Sequence, residues 1–281
     1  MEHDVTWGNR RFQLSRPMIM GVLNITPDSF SDGGENLDPE VAVQQAKKLF
    51  DAGADIIDVG GESTRPGAKQ VTLSLERSRV IPVIKELSGL VIPVSTVKQH
   101  PELMQAAIDS GACLVNDVSG AKTPEVASLV AETGVGICVM HMQGSPRDMQ
   151  NNPSYSNVVE EVLDYLNKKV AALVGAGVSL GQILIDPGFG FGKKLEHNVS
   201  LLQNLTKFRE IGCPILVGLS RKSMLGLITE KQDSADRLGS SVAAAIFAVG
   251  QGADIVRVHD VNETRDALVA WQFFSDGPLS E

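Results

Sequence analysis

Eight short apolar runs, each followed by a longer stretch with helical spacing, limit what this chain can fold into. The runs lie at 18–24, 54–59, 90–95, 113–117, 135–141, 182–186, 214–219 and 253–258. They are too continuous for half-exposed strands and too short for helices, so they read as parallel strands buried on both faces. The segments between them, at 38–52, 74–88, 100–110, 123–133, 156–176, 198–212, 234–250 and 262–274, read as helices. Asp38-Pro39 is a helix start with proline at the first helical position. Gly53-Ala54, Gly111-Ala112, Gly212-Cys213 and Gly252-Ala253 place a glycine where a helix ends and a strand begins. Eight strand–helix units in 281 residues favour a closed (β/α)8 barrel, a TIM barrel, over an open doubly wound sheet. The first strand also lacks the GxGxxG turn of dinucleotide-binding sheets. Residues 1–16 read as a short N-terminal hairpin closing the barrel bottom, 17–274 as the barrel and 275–281 as a frayed tail.

Composition excludes several classes of function. A net charge of -9 argues against a nucleic-acid surface, although a local basic pocket for a small anion is compatible with it. Cys113, Cys138 and Cys213 are odd in number, lack CxxC spacing and sit in or beside apolar runs. They read as buried thiols in a reducing compartment. The polar N-terminus has no signal-peptide core, and no apolar run approaches the ~18 residues of a membrane span. A soluble cytoplasmic protein that acts on small molecules is the expectation.

The chemistry collects where the strands end, which in such barrels is where active sites lie. Those ends carry Asn24, Asp58 before GGESTRPG, Asn116-Asp117, Met140-His141-Met142, Asp186 before PGFGFG, Ser220-Arg-Lys-Ser223 and Arg257-Val-His259-Asp260. Asp186 and Asn116 suit a flat, nitrogen-rich heterocycle, since a carboxylate accepts from a pair of N–H groups. Phe189 and Phe191 are spaced to bring an aromatic ring to it, with ordinary core packing as the alternative. Lys222 is a compact cation for a carbonyl oxygen or ring nitrogen. Arg257 and His259 alternate along the last strand and so face one way. With Arg65 they suit a phosphate or diphosphate. Asn24 could serve as an oxygen ligand for Mg²⁺. No nucleophile with an adjacent base stands out, which points to catalysis by positioning and charge stabilisation.

These motifs together resemble dihydropteroate synthase, a folate-pathway family. The matching segments are Met20-Gly-Val-Leu-Asn-Ile-Thr-Pro-Asp-Ser-Phe-Ser-Asp-Gly-Gly34, Asp58-Val-Gly-Gly-Glu-Ser-Thr-Arg-Pro-Gly67, Asn116-Asp117, Met140-His-Met-Gln-Gly144, Asp186-Pro-Gly-Phe-Gly-Phe-Gly-Lys193, Ser220-Arg-Lys-Ser223 and Arg257-Val-His-Asp260. The resemblance implies a TIM barrel that joins (7,8-dihydropterin-6-yl)methyl diphosphate to 4-aminobenzoate, releasing pyrophosphate. It implies a pterin pocket of Asn116, Asp186 and Lys222, lined by Met140 and Phe191. It implies a diphosphate site of Asn24, Arg65, Arg257 and His259 with Mg²⁺, Asn24 being the metal ligand. It implies an aminobenzoate side of Phe30, Thr64, Arg65, Pro66 and Ser223. Lys222, Arg257 and Asp186 would carry catalysis, and the last helices would form a homodimer.

One segment departs from the family pattern. The third strand of the family ends in a Val-Asp-Thr-Ser-Lys-like motif whose aspartate contacts the pterin. Here residues 94–101 read Val-Ser-Thr-Val-Lys-Gln-His-Pro. Counting back from Asn116 puts Val97 at the aspartate position, and a slipped register puts Ser95 there. Losing a hydrogen bond to a charged group costs ~1.5–3 kcal/mol. The expectation is a weakened synthase, with a non-catalytic pterin-binding paralogue as the alternative. A pterin-dependent methyltransferase is disfavoured by the Ser-Thr-Arg-Pro and Ser-Arg-Lys-Ser loops, and an unrelated phosphate-binding barrel would need the pterin pocket to be coincidental.

Overall fold

The computed structural model describes residues 3–25, 38–61, 71–97, 100–121, 123–146 and 148–276. An antiparallel hairpin, β1 (His3–Trp7) and β2 (Arg10–Leu14), comes first. Eight parallel strands follow: β3 (Met18–Asn24), β4 (Ile56–Gly60), β5 (Val94–Val97), β6 (Leu114–Asp117), β7 (Gly136–Met140), β8 (Ile183–Asp186), β9 (Leu216–Val217) and β10 (Ile255–Val258). Their order is β8-β7-β6-β5-β4-β3-β10-β9. A parallel bridge between Ile185 and Ile215, with the Ile185 amide 3.0 Å from the Pro214 carbonyl, joins the two ends and closes the barrel.

Helices α1 (Pro39–Asp51), α2 (Leu73–Gly89), α3 (Pro101–Asp109), α4 (Pro124–Thr133), α5 (Val158–Gly175), α6 (Leu195–Gln203), α7 (Ser223–Thr229), α8 (Leu238–Gly250) and α9 (Val261–Asp276) follow the strands in turn. Asp38 caps α1 by accepting from the Glu40 amide at 2.9 Å. All four expected helix-end glycines, Gly53, Gly111, Gly212 and Gly252, have positive φ (107°, 105°, 80° and 98°), a backbone state that suits glycine.

Alternation along each strand divides the core. Ile19, Leu23, Ile57, Val59 and Val94 point outward to one helix layer, and Val115, Ile137, Val139, Ile183 and Ile185 to the other. Met20, Ile56, Leu114, Cys138, Leu184, Leu216 and Ile255 point inward and fill the barrel. Val5, Trp7 and Leu14 of the hairpin complete that inner cluster from below, beside Gly136 at the start of β7. A Cβ at Gly136 would lie 2.4 Å from the Trp7 ring, so only glycine admits the indole there. The hairpin therefore seals the amino-terminal end, and the opposite end is left for chemistry.

Several boundaries differ from the sequence reading. The third strand lies at Val94–Val97 and not at 90–95, because α2 runs to Gly89, Val91 takes a positive φ of 63° and Pro93 has no N–H for the ladder. The segment 198–212 divides into α6 and a 3₁₀ turn at Leu205–Ile211, broken at Asn204, whose side chain bonds back to the Ser200 carbonyl. The Ser220–Ser223 segment leads into α7, an element missing from the sequence reading. The helix α9 reaches Asp276, inside the tail expected to fray.

Trp7 is fully buried, so Trp7→Ala is expected to destabilise the fold by about 3–5 kcal/mol in urea unfolding. Trp7→Phe is expected to cost under about 1.5 kcal/mol, because the indole Nε1 has no partner among the described residues. Equal losses in the two variants would show that the ring is not the plug.

Candidate active site

The site begins one pleat above the apolar filling. Two residues beyond inward-facing Ile56, Leu114, Cys138, Leu184 and Ile255 stand Asp58, Asn116, Met140, Asp186 and Arg257. Period-two alternation gives these residues the same inward direction. Asp58 is fully buried; its Oδ2 accepts from Arg257 Nε at 2.6 Å and from Asn116 Nδ2 at 3.4 Å. Asp117, next to Asn116, points outward and holds the following turn through the amides of Ser119 (2.8 Å) and Ala121 (2.6 Å). Val97 pairs with Asn116 across the ladder, and Ser95 pairs with Asp58. No residue of β5 carries a carboxylate.

The glycine-rich loop after β8 forms one wall and is held by side chains that the sequence reading left without a role. Asn198 Oδ1 accepts from the Gly190 amide at 2.7 Å, Gln150 donates to the Gly190 carbonyl at 2.7 Å, and Tyr155 donates to the Gly192 carbonyl at 2.7 Å. The buried Lys193 ammonium donates to the carbonyls of Gly188 (2.9 Å) and Phe191 (3.0 Å) and to His141 Nδ1 (2.9 Å). Burial, followed by the Lys193 charge, lowers the His141 pKa to about 3, so this imidazole is a neutral acceptor. The alternating glycines 188, 190 and 192 were the available sign of a tight loop, and all three have positive φ. The buried lysine at its end had no such sign.

The Phe189 ring is wholly buried and belongs to the core, whereas Phe191 lines the open cleft. Lys222 Nζ donates to the Phe189 carbonyl and lies 4.7 Å from the centre of the Phe191 ring. Asp186 is buried, with Oδ1 accepting from the Gly188 amide at 2.7 Å. Desolvation raises its pKa, countered by Lys222, that amide bond, Lys193 and Arg257. Desolvation lowers the Lys222 pKa to about 8, with Asp186 opposing and Arg257 reinforcing the shift.

On the far wall, Ser220 Oγ is 3.0 Å from His259 Nδ1 and accepts from the His259 amide at 3.2 Å. Arg221 makes a two-point pair with Asp260 (3.1 and 2.5 Å), which fixes the Ser220–Ser223 turn against the end of β10. The cleft measures about 600 Å³ and is lined by Asn24, Phe191, Lys222, Ser223, Arg257 and His259 among others. Met149, Gln232, Asp233, Ser234 and Arg237, which carried no sequence signal for a site, line it as well.

A family model described as a pterin-binding enzyme matches residues 20–259. The chain belongs to the pterin-binding enzyme family. It is 46% identical over 272 residues to dihydropteroate synthase of Neisseria meningitidis serogroup C, covering 95% of this chain and 96% of that one. Its fold matches the solved Xanthomonas albilineans dihydropteroate synthase with 4-aminobenzoic acid at a TM-score of 0.93 and 43% identity, covering 99% of this chain and 100% of that one. A second structure of the Xanthomonas albilineans enzyme, in complex with 7,8-dihydropteroate, matches at 0.89 and 40%, covering 98% and 100%.

In this pterin-binding enzyme, the structure gathers Asn24, Phe191, Lys222, Ser223, Arg257 and His259 around the cleft, with Asp186, Asn116 and Met140 in the barrel end beneath it. Phe30, Thr64, Arg65 and Pro66 lie outside the described residues. Asn24 offers one neutral oxygen, and among the described residues no three His, Cys, Asp or Glu side chains form a metal cage. A neutral side-chain oxygen such as that of Asn24 is a donor type that suits Mg²⁺ beside water and phosphate oxygens.

Lys222 is charged below its pKa of about 8 and loses its proton as pH rises through that value. The pH profile of kcat/KM is expected to fall on its basic side with a midpoint near 8. Lys222→Arg should lower the plateau and remove that limb, because arginine stays charged. An unchanged limb in the variant would assign it to another group.

Proposed function

We infer that this chain is a dihydropteroate synthase, joining (7,8-dihydropterin-6-yl)methyl diphosphate to 4-aminobenzoate to give dihydropteroate and pyrophosphate. The observation that carries the reading is the inward row of Asn116, Met140, Asp186 and Arg257 beneath a cleft faced by Lys222 and Phe191. It stands in a barrel that matches a dihydropteroate-bound relative over nearly its whole length.

The proposed roles follow from the chemistry of each group. The Asp186 carboxylate accepts from the N–H pair of the pterin, and Asn116 bonds a further ring nitrogen. Lys222 donates to the ring, which lies against Phe191 and Met140. Arg257 and His259, with Asn24 toward the Mg²⁺ carried by the substrate, face the diphosphate. The bond between the pterin methylene carbon and the diphosphate oxygen breaks with its electron pair going to pyrophosphate. The resulting cation is attacked by the arylamine nitrogen, which then sheds a proton. Ser223, with Phe30, Thr64, Arg65 and Pro66, would face the aminobenzoate. Arg257 and Lys222 stabilise the leaving group, and a Mg²⁺ held beside Asn24 would supply further positive charge there, so no protein nucleophile is needed. A homodimer through α8 and α9 accords with exposed Phe247, Val269, Phe273 and Phe274, and a cytoplasmic location with the lack of a membrane-spanning helix among the described residues.

Pyrophosphate release is expected to require 4-aminobenzoate and to match dihydropteroate formed mole for mole. Val97→Asp, assayed beside the natural chain, is expected to turn over about 10- to 100-fold faster, the worth of one hydrogen bond to a charged group. Binding of the pterin diphosphate without product in either protein would favour a non-catalytic pterin-binding role.

A further inference from the structure

Asp58 lies outside the pterin, diphosphate and aminobenzoate sets, yet it touches two of them. Its side chain is wholly buried beneath the cleft, and one oxygen takes both Arg257 Nε at 2.6 Å and Asn116 Nδ2 at 3.4 Å. Arg257 is the proposed phosphate ligand and Asn116 the proposed pterin ligand. We propose that Asp58 is a positioning residue that couples the two halves of the site, by holding Arg257 through Nε and fixing which way the Asn116 amide faces.

The chemistry of the three groups supports this. A carboxylate only accepts, so the Asn116 amide must turn its NH₂ to Asp58 and leave Oδ1 as the acceptor for a ligand N–H. Asn116 Oδ1 has no hydrogen-bond partner among the described residues, although it is buried. Buried polar atoms are normally paired, so this one is poised for a ligand group. Engaging Arg257 through Nε leaves its two terminal nitrogens for an anion in the cleft that it lines. The neighbouring β5 supplies only Ser95 beside Asp58 and Val97 beside Asn116. With no carboxylate at Val97, Asp58 is the one acidic side chain among the described residues on this side of the inner wall, across from Asp186. The inference takes the identity of the ligands from the proposed synthase reading, whereas the link among the three residues stands on geometry.

The test is calorimetric titration of Mg-pyrophosphate into the natural chain, Asp58→Asn, Arg257→Lys and the double variant. Each single change is expected to weaken binding about tenfold or more. The double is expected to be within about twofold of Arg257→Lys, because removing one end of a link makes removing the other harmless. Effects that multiply would overturn the proposal. Should Asp58→Asn fail to fold, the natural chain decides alone. A ¹⁵N spectrum is expected to show, besides the Arg221 Nε–H held by Asp260, an arginine Nε–H that is protected from solvent exchange and disappears in Arg257→Lys, and the lack of any such signal in the natural chain would overturn the link. A coupled pair in a chain that binds pyrophosphate but makes no dihydropteroate would leave the link standing and refute the synthase reading.

Discussion

The inner wall of the barrel changes from apolar to polar within a single pleat, and the rest of the structure depends on that step. Met20, Ile56, Leu114, Cys138, Leu184, Leu216 and Ile255 fill the tube, and Trp7 plugs its lower end. One repeat higher, four of these strands present Asp58, Asn116, Asp186 and Arg257. Period-two geometry makes this abrupt, since nothing between the two rows can face inward. The apolar row excludes water from below, so the polar row sits in a low-dielectric floor where charge interactions are strong. The raised pKa of Asp186 and the lowered pKa of Lys222 share that cause.

A floor of this kind suits a reaction that needs charge held in place. The Phe189 carbonyl, the Phe191 ring and Asp186 surround the Lys222 ammonium, and Arg257 leans on Asp58. These groups are held by contacts within the protein itself, which is how preorganised sites stabilise a developing charge. The loop after β8 gains its rigidity from Lys193, Asn198, Gln150 and Tyr155, so that Phe191 faces the cleft while Phe189 belongs to the core.

The barrel was legible in the sequence because two local signals agree: continuous apolar runs for buried parallel strands, and glycines at helix ends. Asn24, Asp186, Lys222, Arg257 and His259 were legible because polar residues at strand ends have few other reasons to be there. Lys193, Asn198 and Asp58 in its supporting role were not, since a lysine or an asparagine in a helix start looks solvated until the fold buries it. The third strand was misplaced by two to four residues, because the apolar stretch 90–95 gave no sign that its first residues complete a helix end. The short α7 was missed because seven residues carry too little periodicity to be seen.

The polar row holds no carboxylate on β5, where Val97 pairs with Asn116. The central claim is that this row seats a pterin even so. A crystal structure of the protein with 7,8-dihydropteroate tests it most directly. The pterin ring should lie within hydrogen-bond reach of Asp186, Asn116 and Lys222, with its aminobenzoate end running toward Ser223. A pterin ring bound at the rim beside Gln232 and Arg237, with Asp186 and Asn116 untouched, would contradict the account.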